Sequence, residues 1–348
     1  MENRQYFGRM KDGREVSLIT LQKEAVRVTV TDLGASIVSI VVPDRNGQPT
    51  DIVLGYDTAE EYDASTVYFT GIMGRSANRI ASGRCTIGSR TIQLAANNYE
   101  NNLHSGPNGF ERRLWTITDA AEDRVTFTLE DGDMEQGFPG CFRVSVSYIL
   151  SEDSLRLCYE AVCDQDTVCN LTNHVCFNLG GHGSGSVLDH ELTLFADTYT
   201  PVLDEKAIPT GKIASVAGTV FDFLTPHRIG ERIGADDRQL IYGGGYDHNY
   251  IIRGHRAGTV NKAAEVYCEK TGIRMEICTD LPAIQLYTGN GLPSDLHGKG
   301  GAVYQPRGGI CLETQYVPNA INMEGFEKPL LKAGDIYRTE TGYRFSAS

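Results

Sequence analysis

The sequence predicts an all-β protein made of packed antiparallel sheets with very few helices. Apolar and polar residues alternate with a period of two in many segments, which is typical of strands that bury one face. The chain also contains 38 glycines, several of them next to Asn or Asp, which indicates frequent tight turns. Many strands with few helices favour antiparallel sheets that pack against each other.

The individual elements follow from local patterns. Five segments alternate most clearly and are predicted as strands: 26–31, 124–129, 142–146, 155–159 and 273–278. Three dipeptides are predicted as hairpin turns: Asn46-Gly47, Asn108-Gly109 and Asp131-Gly132. Residues 225–230, which start with Thr-Pro and end with Gly, predict one or two helical turns. No linker or repeat interrupts the chain, so residues 1–348 are expected to form one domain.

The amino-acid composition indicates which binding partners and which cellular compartment to expect. The formal net charge is −13, which repels phosphate backbones and anionic lipid, so neither nucleic acid nor a membrane is an expected partner. No apolar stretch is long enough to span a bilayer, and the first residues carry no apolar signal region. Nine cysteines, an odd number without a C-x-x-C pair, do not suit a disulfide framework. We therefore predict a cytoplasmic protein; no oligomeric state is predicted.

Several common chemistries lack their sequence motifs. The chain has no G-x-x-x-x-G-K-[ST] phosphate loop and no G-x-S-x-G nucleophile elbow. The glycine-rich stretch 180–185 lacks the spacing of a dinucleotide fingerprint, and His190-Glu191 is followed by Leu194 where a zincin motif needs its second His. The remaining chemistry requires only side-chain acids and bases, so no cofactor and no metal are expected.

Four polar-rich regions interrupt the strand pattern. They comprise residues 74–80 with 102–106, residues 170–180, residues 245–250, and residues 309–315 with 318–322. In this order they resemble the galactose mutarotase (aldose 1-epimerase) family, and the resemblance covers nearly the whole chain. It implies a single large antiparallel β-sandwich, the galactose mutarotase-like supersandwich, that binds a small sugar in an open cleft.

The resemblance also assigns roles to residues. It implies that His174 is the general acid and Glu313 the general base. It further implies that five residues hold the sugar hydroxyls: Asn78, Arg79, His104, Asp247 and Gln285. The sequence departs from the commonest form of the motifs at three positions, Ser105, Cys176 and Asn319, which affects fine substrate preference more than the reaction.

The implied reaction interconverts the α and β anomers of a free aldohexose by opening and reclosing the ring. Glu313 would take the proton of the C1 hydroxyl while a protonated His174 gives one to the ring oxygen. A free imidazole titrates at about 6.5, so we hypothesise that a neighbouring carboxylate, Asp247, favours the charged form of His174. In an extended strand 310–315, Cys311 and Glu313 would share one face, and Gln285 would share a face with Tyr287.

Other interpretations of the same residues stay open. Each candidate could be structural: His174 a satisfied strand histidine, Glu313 a sheet-edge carboxylate, and Asp247 or His248 part of a turn. A relative that acts on a phosphorylated hexose would need more cations than Arg75 and Arg79. A glycoside hydrolase normally uses two carboxylates, and a sugar-binding module needs no acid–base pair. The sequence does not choose among galactose, glucose and a pentose.

Overall fold

The computed structural model describes residues 4–348, which form mainly antiparallel strands. Within these residues, three sheets of nine, six and five strands contain most of the strands. The pairings in the nine-stranded sheet are antiparallel throughout. The same holds for the two smaller sheets. The predicted all-β class is confirmed.

Each sheet has a defined order of strands from one edge to the other. The nine-stranded sheet contains, in spatial order, Thr116–Ala120, Arg124–Asp131, Phe142–Leu150, Ser154–Cys163, Ile336–Ala347, Ile273–Thr279, Asn261–Tyr267, Glu191–Leu194 and His227–Arg228. The six-stranded sheet contains Cys176–Phe177, Ile310–Gln315, Ala283–Tyr287, Asp247–Ile251, Thr198–Thr200 and Ala214–Ser215. The five-stranded sheet contains Arg4–Arg9, Glu15–Lys23, Val26–Thr31, Ile37–Pro43 and Pro49–Asp51.

Short ribbons and helices connect these sheets. The two-stranded ribbons are Arg79–Ile80 with Asn102–Leu103, Ile72–Met73 with Thr172–Asn173, Arg84–Ile87 with Arg90–Gln93, Thr167–Val168 with Leu330–Leu331, and Leu296–His297 with Val303–Tyr304. The α-helices in the described chain are Ala59–Ala64 and Arg238–Gly243. Turns of 3₁₀ helix lie at Ala81–Gly83, Phe110–Arg112, Glu135–Gly137, Ile229–Glu231, Lys299–Gly301 and Ala320–Asn322. Neither α-helix of residues 4–348 has the length and apolarity to cross a membrane.

All five predicted strands are present, and their alternation matches their burial. In Phe142–Leu150, for example, Val144, Val146 and Tyr148 are buried while the intervening side chains are more exposed. The turn at Asn46-Gly47 joins two paired strands, as predicted. Asn108-Gly109 instead leads into a 3₁₀ turn and makes no hairpin. Asp131-Gly132 opens a longer connection between two paired strands, so this prediction of a tight turn was also wrong.

The helix predicted at 225–230 is mostly absent. Residues 227 and 228 form a short strand because they pair with Leu192 and Glu191 at the edge of the nine-stranded sheet. Only the following residues, Ile229–Glu231, make a single 3₁₀ turn. Sheet pairing thus overrides the local helix signal of Thr225 and Pro226.

The core lies between the nine-stranded sheet and the two smaller sheets, in a sandwich. The largest cluster of buried apolar side chains includes residues from Ile19 in the five-stranded sheet to Phe345 in the nine-stranded sheet. The Tyr148 hydroxyl donates to the carbonyl of Ala35 at 2.5 Å, and the rings of Phe177 and Tyr343 lie 5.2 Å apart. The nine-stranded sheet therefore supports both smaller sheets from one side.

This support extends to two buried polar residues, Asn173 and Thr314. The Tyr343 hydroxyl donates to Asn173 Oδ1 at 2.6 Å, and Asn173 Nδ2 donates to the Tyr159 hydroxyl at 3.1 Å. The hydroxyls of Thr314 and Thr341 are hydrogen-bonded at 2.5 Å. Asn173 in its two-stranded ribbon and Thr314 in the six-stranded sheet thus both face the nine-stranded sheet, and the adjacent side chains of His174 and Glu313 point the opposite way.

We expect Tyr343→Phe to lower the free energy of unfolding by about 1–3 kcal/mol, because it leaves the buried Asn173 Oδ1 without its donor. Urea unfolding followed by circular dichroism measures this. Tyr6→Phe, which removes a hydroxyl from a side chain that is 64 % exposed, is the matched control and should change stability little. Equal losses in the two variants would contradict the proposed support.

Candidate active site

A cavity of about 390 Å³ opens on the outer face of the six-stranded sheet. Six of the seven residues singled out from the sequence line it: Asn78, Arg79, His104, His174, Asp247 and Glu313. The seventh, Gln285, does not line the cavity. It contacts a residue that does, because its Nε2 donates to Asp247 Oδ1 at 2.7 Å. The fold therefore brings together side chains that are up to 235 positions apart in the sequence, from Asn78 to Glu313.

His174 and Glu313 form the closest pair of acid and base in the cavity. His174 Nε2 lies 3.5 Å from Glu313 Oε1, and both side chains are almost fully buried. Glu313 belongs to the strand Ile310–Gln315, which is paired on both sides within the six-stranded sheet. His174 occupies the bend between two short strands, where its amide donates to the carbonyl of Gly71 at 3.0 Å. Backbone pairing on both elements fixes the separation of the two groups.

At neutral to mildly alkaline pH, His174 is protonated and Glu313 is ionised. Burial opposes the charge on His174, but the Glu313 carboxylate and Cys176 outweigh it and raise the pKa of His174 to about 9. Burial raises the pKa of Glu313 to about 7; the charge of His174 opposes this rise and that of Asp247 adds to it. Between these two values, an ionised Glu313 and a protonated His174 coexist.

Our hypothesis that Asp247 favours the charged form of His174 was therefore wrong. The carboxylate that raises the pKa of His174 is Glu313 itself, because it is the group in direct contact with the imidazole. Asp247 acts on Glu313, whose pKa it raises. Arg79 Nη2 lies 3.8 Å from Asp247 Oδ2, and Gln285 donates to the other oxygen, so Asp247 is held as a fixed acceptor in the wall.

Asn78 and His104 form a second polar wall on neighbouring loops. The backbone amide of Asn78 donates to His104 Nδ1 at 3.2 Å. The backbone amide of His104 donates to the backbone carbonyl of Asn78 at 3.0 Å. Burial, with the nearby charges of His174 and Arg79, holds the pKa of His104 well below its usual range. His104 is therefore neutral; because Nδ1 accepts, its proton lies on Nε2, which can donate to a ligand.

Aromatic rings complete the wall. Tyr68 contacts both histidines, with ring centroids 5.0 Å from His104 and 5.8 Å from His174, and Tyr287 lies 6.3 Å from His174. Tyr287 shares a face with the residues of the cavity, as its strand phase predicts. Tyr68 was missed, since no motif surrounds it; the adjoining ribbon of Ile72–Met73 with Thr172–Asn173 brings it to the site.

The three departures from the family pattern have different surroundings. Ser105 Oγ accepts from the Ser76 amide at 2.7 Å, and Asn319 Oδ1 accepts from the Ala81 amide at 3.0 Å, so both stabilise loops. Cys176 lines the cavity. Of the three, Cys176 is thus the residue placed to act on a ligand.

The structure also separates neighbouring residues that the sequence left ambiguous. Asp247 lines the cavity, whereas His248 is fully buried with its ring 4.7 Å from that of Phe221. Arg75 is buried away from the cavity, where its Nε donates to Asp131 at 2.6 Å. Of the described residues that line the cavity, Arg79 is the one Lys or Arg side chain. A phosphorylated sugar would therefore meet two carboxylates and a single guanidinium.

Two groups of side chains have the spacing of metal ligands: His104, His174 and Glu313, and His174, Cys176 and Cys311. In each group the donor atoms lie within 4.8 Å of one another. Both groups depend on His174, and a protonated imidazole has no lone pair to offer a metal. The raised pKa of His174 therefore works against metal binding at neutral pH.

Comparisons with known proteins identify the family of the chain. The family model described as "Aldose 1-epimerase" matches residues 17–344. The chain is 40 % identical over 333 residues to a galactose mutarotase from Bos taurus, covering 96 % of this chain and 95 % of that one. It is 36 % identical over 343 residues to an aldose 1-epimerase from Escherichia coli K12, covering 97 % of each.

Solved structures show the same fold. A GalM/aldose epimerase homologue from C. elegans superposes with a TM-score of 0.87 at 30 % identity, covering 95 % of this chain and 99 % of that one. A galactose 1-epimerase from Lactobacillus acidophilus NCFM gives a TM-score of 0.85 at 29 % identity and covers 99 % of each chain. With a family model that spans almost the whole sequence and relatives of this similarity, the chain belongs to the aldose 1-epimerase family.

Proposed function

We propose that this protein is an isomerase that interconverts the α and β anomers of a free aldohexose, with galactose or glucose as substrate. The observation that carries the proposal is the contact of 3.5 Å between His174 Nε2 and Glu313 Oε1 inside the cavity. Relatives named galactose mutarotase and aldose 1-epimerase point to the same reaction.

The geometry suits ring opening because both reacting oxygens are attached to the same carbon. The C1 hydroxyl must lose a proton while the ring oxygen gains one, so the base and the acid have to lie side by side. Glu313 lines the cavity and its Oε2 has no hydrogen-bond partner among the described residues, so we assign the C1 hydroxyl proton to this carboxylate. His174 Nε2 then donates to the ring oxygen, and the C1–O5 bond breaks.

The open-chain aldehyde rotates about the C1–C2 bond and the ring recloses on the other face. In this step His174, now neutral, takes the proton of the C5 hydroxyl as its oxygen attacks C1. The protonated Glu313 returns its proton to the oxygen on C1. Both groups regain their starting charges, so the cycle needs no external acid or base.

The remaining polar groups hold the sugar for this exchange. Asp247 offers carboxylate oxygens, His104 offers the Nε2 proton, and Asn78 and Arg79 offer amide and guanidinium donors. The Tyr287 ring gives the cavity an apolar wall for the C–H face of the sugar. Gln285 acts indirectly, because it positions Asp247.

We also propose that the chain forms one domain and works in the cytoplasm. The single-domain proposal is supported by a core cluster that draws residues from Ile19 to Phe345. The location is supported by nine cysteines that are all free thiols.

Glu313→Gln and His174→Asn should each lower kcat by about 10²–10⁴-fold, because each removes one partner of the proton exchange. Polarimetry on freshly dissolved α-D-galactose measures the rate, and calorimetry checks that the sugar still binds. The exposed residues Glu269 and His297 provide matched controls, Glu269→Gln and His297→Asn, which should keep full activity. Wild-type protein that binds galactose without accelerating the exchange would instead indicate a binding module.

The pH profile of kcat/KM should be bell-shaped, with its maximum between about pH 7 and pH 9. Activity rises as Glu313 ionises through its pKa of about 7 and falls as His174 loses its proton through its pKa of about 9. Polarimetry in buffers of constant ionic strength gives the profile, corrected for the spontaneous reaction. A flat profile from mild acid to mild base is incompatible with this pair.

Asp247→Asn should move the acid limb of that profile to lower pH. The aspartate charge raises the pKa of Glu313, and the neutral amide no longer does so while it can still accept from Gln285. The alkaline limb serves as an internal control, because Glu313 and Cys176 are the groups that raise the pKa of His174. An acid limb that stays in place, or moves up, contradicts the assigned role of Asp247.

A further inference from the structure

Two cysteines face each other at the back of the sugar cavity. Cys176 and Cys311 are directly opposite on neighbouring antiparallel strands, and their sulfur atoms lie 2.8 Å apart. Both are buried and free, and the acid–base mechanism uses neither of them as a reacting group. Two thiols this close together can be joined by a disulfide bond.

The backbone already has the geometry that a cross-strand bond needs. The Cys176 amide donates to the carbonyl of Phe69 at 2.8 Å, and its carbonyl accepts from the Leu54 amide at 2.9 Å. Its backbone groups therefore point away from the strand of Cys311, which makes the two cysteines a non-hydrogen-bonded pair. In such pairs the Cα atoms are about 4.5 Å apart, within the range that disulfides span. Rotation of the side chains alone can bring the sulfurs to bonding distance.

The two thiols differ in access and in reactivity. Cys176 lines the cavity and contacts His174, whereas Cys311 is completely buried behind it. The hydrogen bond from Cys311, with the opposing effect of burial and the support of His174, lowers the pKa of Cys176 to about 6. Burial and the charge of Cys176 hold the pKa of Cys311 well above its usual range. Cys176 is thus the thiolate that borders the cavity, and Cys311 is the thiol placed to react with it next.

We propose that Cys176 and Cys311 form an oxidant-modifiable dithiol site that takes a small peroxide entering through the sugar cavity. The Cys176 sulfur attacks one peroxide oxygen, the O–O bond breaks, and the leaving hydroxide takes up a proton to become water. Cys176 is then a sulfenic acid. The Cys311 sulfur attacks the Cys176 sulfur, the S–O bond breaks, and a second water leaves with the Cys311 proton. The two thiols are oxidised to one disulfide and the peroxide is reduced to two waters.

The test is a peptide map of the folded wild-type protein after treatment with hydrogen peroxide and alkylation of the remaining thiols. We expect a disulfide between the Cys176 and Cys311 peptides, the loss of both of these free thiols, and recovery of both with dithiothreitol. Exposed Cys141 reports that the oxidant was active. Oxidation of Cys141 while Cys176 and Cys311 both stay free overturns the proposal. Because the readout is a bond, the result does not depend on the proposed sugar chemistry.

Single variants test the order of the two steps. In Cys311→Ser, dimedone should trap a sulfenic acid at Cys176, since no second thiol can resolve it. In Cys176→Ser, Cys311 should stay unmodified, because it does not reach the cavity. Cys85→Ser, which removes another buried thiol, should leave the disulfide unchanged. Modification of Cys311 in Cys176→Ser at the rate seen for Cys176 in Cys311→Ser would overturn the assigned order.

Discussion

The site depends on holding two opposite charges next to each other where water has little access. His174 is 6 % exposed and Glu313 is 2 % exposed, so each charge would be costly to bury without the other. Their chain neighbours provide the restraint: Asn173 is hydrogen-bonded to Tyr343, and Thr314 to Thr341, both in the nine-stranded sheet. The alternation of a strand thus lets one sheet anchor the site while the opposite face presents the charges to the cavity.

Many strands of the fold and most residues of the site could be predicted from the sequence. Period-two alternation located strands such as Val26–Thr31 and Phe142–Leu150 because burial of one face imposes that period directly. The resemblance carried by the polar segments singled out His174, Glu313 and the residues around them, and the cavity brings together side chains from each of these segments. One further local signal is present in the sequence, because Thr58 and Glu61 form the capping box of the helix Ala59–Ala64.

Other features depend on pairing between distant segments, which no local pattern encodes. The helix signal at 225–230 yielded to strand pairing with Leu192, and Arg75 forms its buried ion pair with Asp131, which is 56 positions away in the sequence. The direction of pKa shifts also needs geometry, because the contact with Glu313 decides the charge of His174. The same holds for Cys176 and Cys311, which are separated by 135 positions and meet through strand register.

The proposed chemistry requires that His174 carries its proton at neutral pH because Glu313 is ionised beside it. Titration of the His174 imidazole by ¹⁵N-resolved NMR in the sugar-free protein measures this protonation, with Glu313→Gln as the comparison. We expect a pKa of about 9 in the wild type and a clearly lower value in the variant, where burial acts unopposed by the carboxylate. A wild-type imidazole that is already neutral at pH 7, or a pKa unchanged by the substitution, would contradict the proposed coupling of the two groups.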